Sequence, residues 1–318
     1  MPQVIVVGAG VVGLSAAHEL ARAGHQVRVV ADADTADTVS AVSAALWFPY
    51  RSEQSAAADL LLERSLARFE ELLPVPEAGV ARRPGTVLER TADPDRSWAR
   101  LFPDAAAVPP DLLPPGVLSG VRVAVPFITV PEYLPWLVRR LESLGVAFER
   151  RTVTAVAELT GSADAVVVAA GLRSGELLGD DSSVVPVRGQ VVRLANPGLT
   201  DWITDDDNPD GLTYVFPRNA DVVVGGVAVE GSSDATVHAD VAAAMLARAT
   251  RLVPELAGLP VLGHAAGLRP ARPTLRIEAV PGHAVPVVAA YGHGGAGVTL
   301  SWGTAERVAT LLGDLLRG

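Results

Sequence analysis

The chain has 318 residues, enough for one large or two modest domains, and a folded chain of that size buries about three quarters of its unfolded surface. Apolar residues make up 49% and charged residues 19%, a globular composition; 36 acids against 26 bases leave a net charge of −10, which disfavours nucleic acid or an anionic membrane as partner, because both need a basic face. Cys and Lys are absent and all 26 bases are Arg, which excludes disulfides, thiolate metal centres, cysteine nucleophiles, a cysteinyl-linked flavin, a lysine Schiff base and a P-loop lysine.

Residues 4–7 form a β-branched run that reads as a buried strand. Gly8-Ala9-Gly10-Val11-Val12-Gly13 then opens a helix through about Ala23, closed by Gly24. Residues 26–30 are a second strand with Asp32 just past its end, so a βαβ unit begins at the first residues. A helix is predicted over 52–73 on Leu60, Leu61, Phe69, Leu72 and Leu73. Residues 74–116, rich in Pro and Ala, read as irregular with a short helix around 97–102. Residues 121–127 alternate like a strand, and 131–144 form a helix with Pro in its first turn, ended by Gly145.

Strands are expected at 146–148, 153–159 and 165–170, the last running into Gly171. Residues 184–194, 212–217 and 222–229 look antiparallel, with Asn219-Ala220-Asp221 as a hairpin turn. The run Asp205 to Asp207 reads as a solvated loop. Residues 238–252 are an amphipathic helix, 261–277 and 285–290 strands, and 298–315 the closing helix. Residues 279–305 lack Asp, Glu and Arg, a span long enough for a bilayer, but Pro281, Pro286 and the glycine run 292–297 break it. The N-terminus lacks the basic region of a signal peptide. The expectation is a cytoplasmic protein with no membrane span.

Gly8-x-Gly10-x-x-Gly13, after a strand and before a helix, predicts a dinucleotide site. The glycines allow a tight turn and close backbone approach to a pyrophosphate, and the helix start supplies free N–H groups. Asp32, 19 residues after Gly13, stands where an acid accepts the ribose hydroxyls. The structural alternative is a turn that merely packs helix on strand. The motif alone does not separate FAD from NAD. The late strand ending in Gly171 and the cluster Gly292 to Gly297 before the last helix favour FAD, because such a helix start stabilises negative charge on a reduced ring. No His pair has metal-binding helical spacing and the Asp run lacks a calcium-loop pattern, so no metal is expected.

Four segments, in order along nearly the whole chain, resemble the D-amino-acid oxidases, non-covalent FAD flavoproteins of the same broad group as D-aspartate, glycine and sarcosine oxidases. They are 6–15, residues 44–50 (Ala-Ala-Leu-Trp-Phe-Pro-Tyr), Gly267-Leu268-Arg269-Pro270-Ala271-Arg272-Pro273, and Tyr291-Gly292-His293-Gly294-Gly295-Ala296-Gly297-Val298-Thr299. Two weaker ones are Val187-Arg188-Gly189-Gln190-Val191 and Tyr214-Val215-Phe216-Pro217-Arg218. The resemblance implies that Arg269 clamps the substrate carboxylate, a role its planar, permanently charged fork suits, and that it also borders the cofactor. It implies that Tyr214 hydrogen-bonds the same carboxylate, that the Gly295 carbonyl receives the amine, and that Leu46 and Phe48 line the pocket. It assigns cofactor contacts to Gly8 through Gly13 (Ala9, Gly10, Val11 and Val12 included), Asp32, Thr38 and Ser40. Further contacts follow at Ala44, Ala45, Leu46, Val153 and Gly171, and at Gly294 through Thr299. No side chain is assigned as acid or base. Arg272 and Arg276 read as structural, and His293 either tunes the cofactor or bonds within its loop.

The fold expected is α/β, an FAD-binding Rossmann-like βαβ domain (1–50, 132–180 and 262–318) interleaved with a substrate domain on a mostly antiparallel sheet (51–131 and 181–261). The activity implied is oxidation of D-amino acids by oxygen to 2-oxo acids, ammonia and hydrogen peroxide, in a monomer or homodimer. The alternatives are a glycine or sarcosine oxidase, a dehydrogenase with another electron acceptor, and a non-enzymatic FAD-binding protein. The acidic segment Asp201 to Asp210 argues against a substrate with a second carboxylate.

Overall fold

A computed structural model describes residues 1–49 and 55–317. In chain order the strands are β1 (Gln3–Val7), β2 (Gln26–Ala31), β3 (Val80–Glu89), β4 (Ala106–Ala107), β5 (Ser119–Ile128), β6 (Ala147–Arg150), β7 (Ala165–Val168), β8 (Val185–Ala195), β9 (Trp202–Asp205), β10 (Thr213–Pro217), β11 (Asp221–Gly225), β12 (Val229–Glu230), β13 (Val261–Val280) and β14 (Val287–His293). The helices are α1 (Val11–Arg22), α2 (Val39–Val42), α3 (Ala56–Leu72), α4 (Val130–Ser143), α5 (Ser174–Leu178), α6 (Ala239–Leu252) and α7 (Gly297–Arg317).

The chain divides into two units. The first comprises Met1–Val80, Ile128–Pro186 and Arg269–Gly318; the second comprises Ala81–Phe127 and Val187–Leu268. In the first unit the strand order is β13-β14-β7-β1-β2-β6. All neighbours from β14 to β6 are parallel, and β13 is antiparallel to β14. Parallel strands are covered on both faces and read as continuous apolar runs, which is why 4–7 and 165–168 are so legible. Ile5, Val7, Val166, Val168 and Val287 form the core of one face. Helix α1 packs on α7, where the His18 ring meets Trp302 edge-on at 5.1 Å.

The second unit is mostly antiparallel, in the order β4-β5-β3-β9-β10-β11-β8 and then the start of β13, with β12 on β8. Val192, Leu194, Val215, Val222 and Val224 pack against Ala242, Met245 and Ala249, the apolar face of α6. Among the described residues no helix is long and apolar enough to cross a membrane.

Four local expectations are corrected. Residues 153–159 are not a strand: Val153, Val156 and Leu159 enter the core at every third position, the period of the 3₁₀ turn found at Val156–Glu158. The Glu158 carboxylate accepts from the Thr154 and Ala155 N–H groups at 2.8 and 3.1 Å, a local bond set that competes with a ladder. Residues 80–89, part of the Pro- and Ala-rich stretch expected to be irregular, form the ten-residue β3. Gly85 faces Trp202 so closely that a Cβ would fall 2.0 Å from the indole, so the strand depends on a partner far along the chain.

The run at 205–207 is not simply a solvated loop. Asp205 ends β9, is fully buried, and takes Arg90 through two bonds of 2.8 Å. The stretch 222–229 is broken: β11 stops at Gly225 and only Val229–Glu230 resumes pairing, on β8. Of the helix expected over 52–73, residues 52–54 lie outside the described residues, as does Tyr50; the described part starts at α3, capped by Ser55 Oγ, which accepts the Ala58 N–H at 3.2 Å.

Candidate active site

In the first unit the parallel register aligns Val7 with Val30 and Val168, Ala31 with Arg150, and Ala289 with Val168. The chain therefore leaves β1 at Gly8, β2 at Asp32, β6 at Arg151 and β7 at Ala169 along one edge, and β14 continues to His293 before the Gly294 turn. These are the carboxyl ends of the strands, where open α/β sheets bind ligands.

Gly8 has a φ of +116°, and a Cβ there would sit 2.3 Å from the Ala169 carbonyl oxygen; a Cβ on Gly13 would sit 2.1 Å from the carbonyl oxygen of Gly8. Only glycine lets strand, turn and helix close up in this way. Gly10 is the N-cap of α1 and offers no side-chain bond, and no acid stands in the first turn. The Val11 N–H donates to Ser40 Oγ at 3.0 Å, which ties the 38–42 segment to the turn. Thr38 caps α2 and turns its hydroxyl to the Thr35 carbonyl at 2.7 Å. A helix start whose N-cap is a glycine and whose first turn carries no acid, behind a glycine turn, fits an anionic pyrophosphate, so the residues present suit a dinucleotide.

Asp32 follows β2 directly. Its Oδ2 accepts from Arg173 at 2.6 Å, and the other arm of the same guanidinium donates to the Val153 carbonyl at 2.8 Å. Arg173 carried no local signal in the sequence, because its partners lie 141 and 20 residues away. Gly171, two residues earlier, has a φ of +60°, and a Cβ there would lie 3.8 Å from Cγ of Pro270, the neighbour of the half-buried Arg269.

The C-terminal cluster is laid against β13. Ala271 pairs with His293, and Gly292, with a φ of +89°, passes so near Arg272 that a Cβ would be 2.9 Å from the arginine Cβ. Gly295 is exposed, between the half-buried Gly294 and the buried Ala296, and α7 opens at Gly297 with no acid in its first turn. Val298 and Thr299 are buried. The Thr299 hydroxyl lies within bonding distance of the carbonyls of Leu46 (3.3 Å) and Phe48 (3.0 Å). Ala44 and Leu46 are buried, Phe48 is half-buried, and the Ala45 carbonyl accepts the Ile128 N–H at 3.0 Å. Two predicted cofactor segments at opposite ends of the chain are thus one local structure.

Behind this loop, the Tyr291 hydroxyl donates to Asp181 at 2.7 Å and accepts from Arg276 at 2.7 Å, while Arg276 also forks onto Asp180 and Arg272 donates to Asp181. Burial, and next the Asp181 carboxylate, push the Tyr291 hydroxyl up to about 12. Burial opposes the charge of Asp181, but bonds from Ser183, Tyr291 and Arg272 hold its carboxyl well below the usual range. Both Arg272 and Arg276 are thereby committed to carboxylates. His293 is buried, with Nε2 3.0 Å from Thr304 Oγ1, and burial pushes its pKa down to about 4. It is a neutral ring bonded to α7.

Tyr214 belongs to the second unit. It pairs with Gly225 across β10 and β11, and its ring stacks at a tilt on Phe216 with centroids 4.7 Å apart. A Cβ on Gly225 would fall 2.1 Å from the Tyr214 ring, so the glycine sets where that ring lies. In the same unit Asp201, Asp205 and Asp210 are paired with Arg122, Arg90 and Arg251. The acidic segment is largely neutralised, which removes the charge argument against substrates with a second carboxylate.

Residues 3–311 match the family described as FAD dependent oxidoreductase. The chain is 43% identical over 315 residues to a D-amino-acid oxidase of Rubrobacter xylanophilus, covering 98% of this chain and 96% of that protein. It is 39% identical over 317 residues to a D-amino-acid oxidase of Streptomyces coelicolor, covering 97% and 96%. Its fold superposes on the crystal structure of glycine oxidase from Bacillus cereus with a TM-score of 0.84 at 22% identity, over 99% of this chain and 95% of that one.

Proposed function

Because the chain belongs to the FAD dependent oxidoreductase family, we propose that it oxidatively deaminates D-amino acids to 2-oxo acids and ammonia. The observation that carries this reading is the convergence of the glycine turn, Asp32, Gly171 and the Gly294 turn at the carboxyl edge of one parallel sheet. That edge fits FAD on the chemistry of its groups, and relatives at 43% and 39% identity over nearly the whole chain bear the name of the activity.

The chain's own part is orientation. Arg269 presents a planar cation to the substrate carboxylate. Tyr214 supplies a hydroxyl donor to the substrate. The exposed Gly295 offers a backbone carbonyl to the amine, an acceptor that favours a donor N–H and needs no side chain. Leu46 and Phe48 supply apolar surface. Bound FAD supplies the two-electron acceptor for the Cα hydride, with oxygen as the final acceptor and hydrogen peroxide as its product. The amine lone pair closes the C=N bond as that hydrogen leaves, and water hydrolyses the imine. No side-chain base is required, and His293 does not act as one, since it is buried, bonded to Thr304, and its pKa is pushed down to about 4 by burial, which makes it a weak base.

The test is anaerobic bleaching of the yellow holoenzyme with paired D- and L-alanine, with glycine and sarcosine as further arms. Rapid bleaching by the D-isomer alone, followed by stoichiometric peroxide on admitting oxygen, is expected. Faster bleaching by sarcosine or L-alanine would overturn the substrate assignment, and bleaching without peroxide would overturn oxygen as acceptor.

A further inference from the structure

Arg173 joins the exits of three strands of the parallel sheet. It follows β7, its Nη1 donates to Asp32 after β2 at 2.6 Å, and its Nη2 donates to the carbonyl of Val153 after β6 at 2.8 Å. We infer that Arg173 is a positioning residue for the adenosine end of the cofactor, holding the Asp32 carboxylate and the Val153 backbone in the arrangement that receives the ribose. The inference rests on the reading of Asp32 as the ribose acceptor and adds a residue that acts through it.

Three features support it. The Asp32 and Arg173 side chains are 47% and 36% exposed, and an ion pair so open to water contributes little to folding, so stabilising the fold does not account for it. Only one carboxylate oxygen is used: Oδ2 faces Arg173, and among the described residues Oδ1 accepts nothing from the protein, which keeps an oriented acceptor for a hydroxyl. The third feature is the fork. Two nitrogens of one planar group set the angle between carboxylate and carbonyl, which a lysine, bonding from a single point, does not reproduce. Ala33 brings no charge to Asp32, and Asp34 is occupied by Arg150 at 3.2 Å, so Arg173 is the cation that serves this carboxylate.

The test titrates the full-length chain, stripped of flavin, with FAD and separately with riboflavin, which lacks the adenosine. The readouts are flavin fluorescence and the melting midpoint of the stripped protein. Arg173→Ala should raise the FAD Kd about tenfold and leave riboflavin binding within about twofold. Arg173→Lys should fall between, and Arg173→Ala added to Asp32→Asn should cost less than the two single losses summed, because the two residues act on one site. An Arg173→Ala variant that binds FAD like the parent while Asp32→Asn binds poorly would overturn the inference and leave the ribose reading standing. Equal losses for FAD and riboflavin, or a lowered midpoint of the stripped protein with no change in FAD preference, would make Arg173 merely structural. An Asp32→Asn variant with undiminished FAD affinity would remove the ribose reading itself, and the inference with it.

Discussion

Thr299 in the first turn of α7 donates its hydroxyl to the carbonyl of Phe48, 3.0 Å away and 251 residues earlier in the chain. The same hydroxyl lies 3.3 Å from the Leu46 carbonyl. One buried side chain thus sets the start of the last helix against the 44–48 segment. Thr299→Val keeps the shape and removes the donor. The expected cost is about 1–3 kcal/mol, together with easier loss of flavin on gel filtration. Thermal unfolding of the holoenzyme checks it, and an unchanged midpoint with full flavin retention would show that the hydroxyl carries nothing.

Replacing Arg269 should act on the substrate. Hydrogen bonds to a charged group contribute about 1.5–3 kcal/mol each, so Arg269→Ala should raise KM for D-alanine by roughly tenfold to several hundredfold in fully flavinated enzyme. Arg269→Lys keeps the charge, loses the fork, and should fall between. Steady-state kinetics decides this, and a parental KM in Arg269→Ala would remove the carboxylate clamp from the mechanism.

His293 predicts a pH dependence. Its pKa is about 4 in the folded protein, against 6.5 as its ordinary value, because burial disfavours the imidazolium. Between those values the unfolded chain binds the proton and the folded one does not, so stability is complete above about pH 6.5 and falls as the pH drops toward 4. The loss amounts to about 3 kcal/mol by pH 4. His293→Asn retains a polar group beside Thr304 and should flatten this limb of the stability curve relative to the parent. Urea midpoints from pH 4 to 7 measure the slope, and parallel curves for parent and variant would rule out His293 as its source.

Asp205 and Arg90 form a two-point ion pair with both bonds at 2.8 Å and the carboxylate fully buried. Removing one partner from a buried pair strands the other charge, at about 3–5 kcal/mol. Asp205→Asn keeps the volume and should lower stability toward that range. It should also speed amide exchange in β9 and in β10, which pairs with it and carries Tyr214. Exchange confined to the termini would contradict a structural role for Asp205.

The βαβ opening, the glycine turn, α6 and the closing helix were legible in the sequence because their causes are local. A buried parallel strand needs an unbroken apolar run, a turn that admits no Cβ needs glycine, and an amphipathic helix repeats at its own period. The same residues located the candidate cofactor edge. Tertiary structure alone decided the rest. It made 80–89 a strand by laying Gly85 on Trp202, buried Asp205 by bringing Arg90 across 115 residues, and gave Asp32 its partner in Arg173. The physical reason is one of range. Periodicity and steric permission are properties of a few consecutive residues, whereas an ion pair or a ring against a glycine exists only once the chain has closed a long loop, and no local pattern encodes which distant group will arrive.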